Sequence, residues 1–178
     1  IYFCNFSVFQ SLPDSWAIDQ LFPIMPIHRL DTAPDREATL ADITCDSDGK
    51  ITHFALPGGA RNSLPLHSLR DDEIYYIGAF MVGAYQETLG DLHNLFGDTH
   101  VVTISAEAGG DWSIDEVIRG DTARQLLGYM QFDANDLNPP IWRDCERAVK
   151  AGRMTLEESQ ALRRFYETEL ASYSYLDL

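Results

Sequence analysis

Thr39-Leu40-Ala41-Asp42-Ile43-Thr44-Cys45-Asp46-Ser47-Asp48-Gly49-Lys50 is a β-type run that empties into an acidic turn. Apolar and polar residues alternate through its first half, the period of a half-buried strand. Ala41, Ile43 and Cys45 then share one face, and Asp42 and Thr44 the other. Asp48-Gly49 is a turn signal. The strand is therefore expected to end near Cys45, with Cys45 and Asp46 at its rim. Asp42, Asp46 and Asp48 crowd the thiol. Like charge opposes a thiolate, so the spacing predicts a protonated Cys45, suited to donating a proton, or else a structural thiol. The carboxylates suit a cationic guest such as a guanidinium, whose planar fork one carboxylate can meet at two points. The plainer alternative is a hairpin with an acidic turn and a half-buried cysteine.

Composition narrows the class. The chain has 178 residues, enough for one domain or a domain with an appendage. Thirteen Lys and Arg against 28 Asp and Glu leave a net charge of −15. Such a surface repels nucleic acid and anionic membranes and favours cationic small molecules or basic partners. No apolar run approaches the roughly 20 residues of a membrane span, and no signal peptide is visible. Cys4, Cys45 and Cys145 are far apart, which gives neither a disulfide framework nor a zinc pattern. A reducing, cytoplasmic setting is the simplest reading. The chain opens on Ile1-Tyr2-Phe3 without an initiator Met, as a piece of something longer would.

Outward from the opening stretch, residues 1–9 read as a strand rich in aromatic and β-branched residues. Pro23 and Pro26 demote residues 21–30 to an edge strand or extended segment. Residues 51–56 read as the partner strand. Residues 74–82 form the strongest strand, so continuous in apolar residues that both faces should be covered. Gly83 to Gln86 ends it, and residues 87–98 read as an irregular loop. Residues 100–106 and 112–118 read as strands joined by a turn at Gly109-Gly110. The character then changes. Asp121 reads as the N-cap of a helix carrying Ala123, Leu126, Leu127 and Met130 on one face. Asn138-Pro139-Pro140 reads as a break before a helix over 142–151. Thr155 and Glu158 form a capping box that opens a third helix, with Leu156, Ala161, Leu162, Phe165 and Tyr166 as its buried stripe. An aromatic and acidic tail, residues 173–178, closes the chain. The expected class is α+β: a mainly antiparallel or mixed β-barrel, Greek-key-like and incomplete if an outside strand joins it, over 1–119, then a helical region over 120–178.

Three strings carry a resemblance. They are Tyr2-Phe3-Cys4-Asn5-Phe6-Ser7-Val8-Phe9-Gln10-Ser11, the segment Asp42 to Gly49, and Gly83-Ala84-Tyr85-Gln86-Glu87 with Leu89-Gly90-Asp91-Leu92-His93-Asn94-Leu95-Phe96-Gly97-Asp98. In this order they closely resemble the C-terminal part of bacterial biosynthetic arginine decarboxylases, pyridoxal-phosphate enzymes of the ornithine-decarboxylase-like, alanine-racemase-like group. The resemblance covers essentially all of residues 1–110 and, more loosely, the helical tail with its Tyr175-Leu176-Asp177 ending.

It implies a β-domain that completes an active site whose (β/α)8 barrel and cofactor lysine lie elsewhere, across a head-to-tail homodimer. It also implies conversion of arginine to agmatine and CO2 at the entry of polyamine (spermidine) synthesis, and magnesium alongside pyridoxal phosphate. A fragment without the barrel should be inactive alone. By position, Cys45 matches the family cysteine that protonates the substrate carbon, Asp46 the acid that holds the distal cation, and Tyr85 the tyrosine that reaches the cofactor phosphate. Asp48 is a candidate second carboxylate. His93 falls near an aromatic position of ornithine decarboxylases. Those enzymes have an aspartate where this chain has Phe6, a departure that disfavours ornithine.

The competing readings are a decarboxylase of another basic amino acid and a non-catalytic assembly relative. Tyr85 could equally be an ordinary strand-end tyrosine. The five histidines show no metal spacing, and Asp46-Ser47-Asp48-Gly49 lacks the ligand set of a calcium loop.

Overall fold

Prolines and short polar breaks cut the first half of the chain into strands of two or three residues, and the architecture follows from that. The computed structural model describes residues 1–176; Asp177 and Leu178, the end of the acidic tail, lie outside them. Contacts divide the chain into two units, Ile1–Phe96 and Gly97–Leu178.

In the first unit, β1 (Tyr2–Phe3) runs parallel to β4 (Leu40–Ala41), which pairs antiparallel with β5 (Lys50–Ile51). Three further antiparallel pairs surround this small sheet. They are β2 (Ile24–Pro26) with β9 (Ile77–Ala79), β3 (Arg36–Ala38) with β8 (Leu64–Leu66), and β6 (Phe54–Leu56) with β7 (Gly59–Arg61). Helices α1 (Val8–Ser11), α2 (Pro13–Ala17) and α3 (Ala84–Leu89) complete the unit. The core joins Val8, Leu12, Phe22, Ile24, Leu40, Ile51, Phe54, Leu64 and Leu66. Each fully buried side chain of this size contributes about 1.5–3 kcal/mol. A polar node is also buried. His67 Nε2 faces the Thr32 carbonyl at 2.8 Å and so must carry the ring proton, leaving Nδ1 to accept from the Tyr75 hydroxyl at 2.7 Å.

The α+β class holds, and the sheets are mixed, but no closed barrel forms among the described residues. Strands this short cannot wrap a sheet upon itself. Other local expectations change too. The opening strand stops at Phe3, because the Ser7 hydroxyl accepts the Gln10 amide and starts α1. Of residues 74–82 only β9 is paired, and Ile74, Tyr76, Phe80 and Met81 are exposed in this chain. Residues 84–89, read as a strand end and loop, form α3. It is held by a reciprocal pair: the Asp14 amide donates to Gln86 Oε1 at 3.0 Å, and Gln86 Nε2 to Asp14 Oδ2 at 2.7 Å.

In the second unit, β10 (Val101–Ala106) and β11 (Trp112–Ile118) form an antiparallel hairpin, as read. Val102, Ile104, Trp112, Ile114 and Val117 lie on one face of it and are exposed. Three helices follow: α4 (Ala123–Tyr129), α5 (Ala134–Lys150) and α6 (Leu156–Leu170). Sequence character changes at residue 119, whereas contacts change after Phe96. The hairpin groups with the helices because Asp121 and the tail bind its base. The Asp98 amide donates to Asp121 Oδ2 at 3.0 Å, and His100 stacks on Tyr173 with ring centroids 4.0 Å apart.

The N-cap of α4 is Thr122, one residue after the expected Asp121. Its hydroxyl and Gln125 form a capping box that leaves Asp121 free to bind the Asp98 amide. Pro139 and Pro140 do not break the chain; α5 begins earlier, at Ala134, under an Asp133 cap and runs through both. The prolines give up two amide bonds of the helix without ending it. On α6 the expected buried stripe is exposed in this chain at Leu156, Leu162 and Phe165; Ser159 and Leu170 are the buried positions.

The α6 capping box forms as read. Thr155 donates its amide and hydroxyl to Glu158 at 2.8 and 2.9 Å. These bonds hold the Glu158 carboxyl below its usual range. A depressed folded value stabilises the helix above the ordinary glutamate pKa, and the benefit is lost as pH falls through the folded value. Glu158→Gln keeps an acceptor but does not titrate. The melting-temperature gap between wild type and Glu158→Gln should therefore shift in the acid range and stay constant above it.

Candidate active site

Ladder pairing ends at Ala41, four residues before Cys45, so the loop that follows is shaped by side-chain bonds rather than by strand alternation. Asp42, expected on the polar face, is the buried residue at 3% exposure. Its Oδ2 accepts the Val8 amide at 2.9 Å; its Oδ1 accepts the Thr44 amide at 2.9 Å and the Thr44 hydroxyl at 2.7 Å. Its carboxylate is thus spent on α1 and the loop. Asp46 and Asp48 are the acids that remain exposed on the loop.

Gly49 closes the turn. Its carbonyl accepts the Asp42 amide at 2.8 Å, and a Cβ there would overlap Asp42 Oδ1 and stand 2.5 Å from Thr44 Oγ1. The Asp46 Oδ1 accepts the Asp48 amide at 2.8 Å, an Asx turn that fixes the Asp46 side chain.

Cys45 is exposed at the apex of this loop. Of the chain's three free thiols, Cys145 is buried and Cys4 is half-buried, its pKa pushed up to about 11 by desolvation. Cys45 is the thiol open to a reactant. Its amide donates to Asn94 Oδ1 at 2.9 Å. Asn94 belongs to a 3-10 turn, His93–Leu95, in which Asn94 and Leu95 have left-handed backbones with φ 57° and 58°. His93 Nε2 stands 3.6 Å from Asp46 Oδ2, an ion-pair distance too long for a hydrogen bond. Its ring packs on the buried Phe9 with centroids 4.5 Å apart. The Asp91 amide donates to the Phe9 carbonyl at 3.0 Å and brings the turn to α1.

The structure thus joins Cys45 and Asp46 to a turn that sequence reading treated as plain loop. Asp48 sits on the same loop and lines a depression of about 510 Å³ with Trp16, Asp19, Lys50 and His53; neither Cys45 nor Asp46 lines it. Tyr85 stands on a different element, the first turn of α3, 68% exposed beside the anchored Gln86. Sequence reasoning missed Asn94, the buried acceptor role of Asp42 and the steric role of Gly49. The available signal for Asn94 was its type, since asparagine is among the few residues that tolerate a left-handed backbone. Among the described residues no three His, Cys, Asp or Glu side chains cluster to hold a metal ion, and no helix is long and apolar enough to cross a membrane.

Comparison with known proteins gives this geometry a context. A family model described as the arginine decarboxylase C-terminal helical extension matches residues 123–176. The biosynthetic arginine decarboxylase of Phocaeicola vulgatus is 53% identical over 176 residues, 99% of this chain and 28% of that protein. Nearly the whole chain thus matches the C-terminal region of biosynthetic arginine decarboxylases.

The arginine decarboxylase of Gloeobacter violaceus is 52% identical over 98% of this chain and 28% of its own. The crystal structure of the biosynthetic arginine decarboxylase from Campylobacter jejuni superposes with a TM-score of 0.85 at 32% identity, covering 98% of this chain and 29% of that one. The chain therefore spans little more than a quarter of the length of these relatives.

Proposed function

We propose that the whole protein decarboxylates L-arginine to agmatine and CO2, a cytoplasmic entry step to polyamine synthesis, and that this chain supplies the proton donor and part of the substrate site. The observation that carries the proposal is the loop in which the open thiol, Cys45, adjoins a carboxylate, Asp46, whose orientation is fixed by its own turn. Relatives about half identical across the whole chain, all named arginine decarboxylases, support the substrate.

Asp46 receives the guanidinium. Its Oδ1 takes the Asp48 amide, and its Oδ2 stands 3.6 Å from His93, beyond hydrogen-bond reach, so the outer oxygen can take a donor of the planar fork. Asp48 adds a second negative charge to the same loop. The Cys45 S–H bond breaks as a C–H bond forms at the carbon that CO2 has left. The sulfur keeps the electron pair until solvent returns a proton. Pyridoxal phosphate, when bound, supplies the electron sink that makes loss of CO2 feasible. The exposed Tyr85 hydroxyl suits a hydrogen bond to its phosphate. Lys50 in β5 and Lys150 at the end of α5 are not enclosed as a cofactor lysine would be, so that lysine belongs to the remainder of the polypeptide. We assign the strands that complete a β-barrel to that remainder, and the completed site to a head-to-tail homodimer. The magnesium that the family resemblance implies has no ligand set among the described residues of this chain.

The test is turnover of arginine, ornithine and lysine by the full-length protein loaded with pyridoxal phosphate. Arginine should be preferred. Asp46→Asn should raise KM for arginine by about 10–100-fold, the worth of a hydrogen bond to a charged group. Equal turnover of ornithine, or an unchanged KM, overturns the assignment.

A further inference from the structure

We infer that Asn94 is a positioning residue for the Cys45 thiol, a role that rests on Cys45 being the proton donor. The loop from Asp42 to Gly49 projects beyond the last ladder bond, so the place of Cys45 depends on what holds its backbone. At the near end, the Ile43 amide reaches the Phe6 carbonyl at 3.2 Å. At the apex, the Cys45 amide reaches Asn94 Oδ1 at 2.9 Å, across 49 residues of sequence. Asn94 presents this acceptor from a left-handed backbone, φ 57°, which few residue types other than asparagine accept. That turn is itself held by the His93 ring, which packs at a tilt of 47° on the buried Phe9. Asn94 thus transmits the rigidity of the core to the residue that carries the thiol. Proton delivery to one carbon rather than a neighbouring one depends on sub-ångström placement of the donor.

Three variants of the full-length enzyme separate the contributions. Asn94→Gly accepts the left-handed backbone freely but removes the acceptor. Asn94→Asp keeps an acceptor oxygen and tolerates the backbone. Cys45→Ala removes the donor. The readout is the ratio of carbonyl by-product, formed when the proton goes to the wrong carbon, to agmatine. That ratio is a per-turnover quantity, independent of how much enzyme is folded. Asn94→Gly should raise the ratio several-fold and lower kcat by about tenfold, with KM for arginine within about twofold, as expected for a misplaced donor. Asn94→Asp should restore both to near wild type. If Cys45→Ala raises the ratio but Asn94→Gly does not, the positioning role falls and the donor role stands. If Asn94→Asp is as impaired as Asn94→Gly, the acceptor oxygen is not the cause and the inference falls. If Cys45→Ala leaves the product clean, the donor reading itself falls.

Discussion

Cys45→Ala in the full-length, cofactor-loaded protein should lower kcat for agmatine formation by about 10²–10⁴-fold, the range for loss of a positioned general acid. Loss of CO2 requires no proton from Cys45, so CO2 release should fall less than agmatine formation, and the difference should appear as by-product. Cys4→Ala and Cys145→Ala should leave the product ratio unchanged, because one thiol is half-buried and the other buried. Cys45→Ser retains a donor with a higher pKa and should fall between wild type and alanine. Simultaneous measurement of CO2 and agmatine decides the matter; parallel decline of the two with no by-product rules out a protonation role.

Gly49→Ala should destabilise the first unit by about 3 kcal/mol, the upper end for overpacking at a buried site. The added methyl would overlap the Asp42 carboxylate, which cannot retreat because it holds the Val8 and Thr44 amides. Relief by displacing Asp42 would leave those amides unpaired, at a further penalty of about 1–3 kcal/mol. The check is a thermal melt of the full-length protein alongside the Asp46-dependent KM for arginine. Ser47→Ala, an exposed change on the same loop, should leave both unaltered. A melting temperature for Gly49→Ala equal to wild type would show that the loop can open without loss.

Several local turns and caps could be read from the sequence. The Asp48-Gly49 turn, the hairpin at Gly109-Gly110 and the Thr155–Glu158 cap depend on residues within a few positions of one another, where type and spacing specify the bonds. The limits of elements were less legible. Residues 74–82 read as one long strand by apolar content, yet only Ile77–Ala79 find a partner, since pairing depends on β2, some 50 residues earlier. The Pro139-Pro140 break failed for a related reason: the Asp133 cap had already begun the helix.

At the site, local sequence specified a thiol beside carboxylates and a turn at Gly49, whereas the helix that carries Tyr85 was read as a strand end. Contacts between distant segments decided the rest. Asp42 turned inward because the Val8 amide at the start of α1 needed an acceptor in the core. His93 and Asn94 became neighbours of Asp46 and Cys45 because the Asp91 amide binds the Phe9 carbonyl and carries the turn there. Buried hydrogen-bonding groups must be satisfied wherever the fold brings partners together, and the order of residues in the chain does not disclose which partners those are.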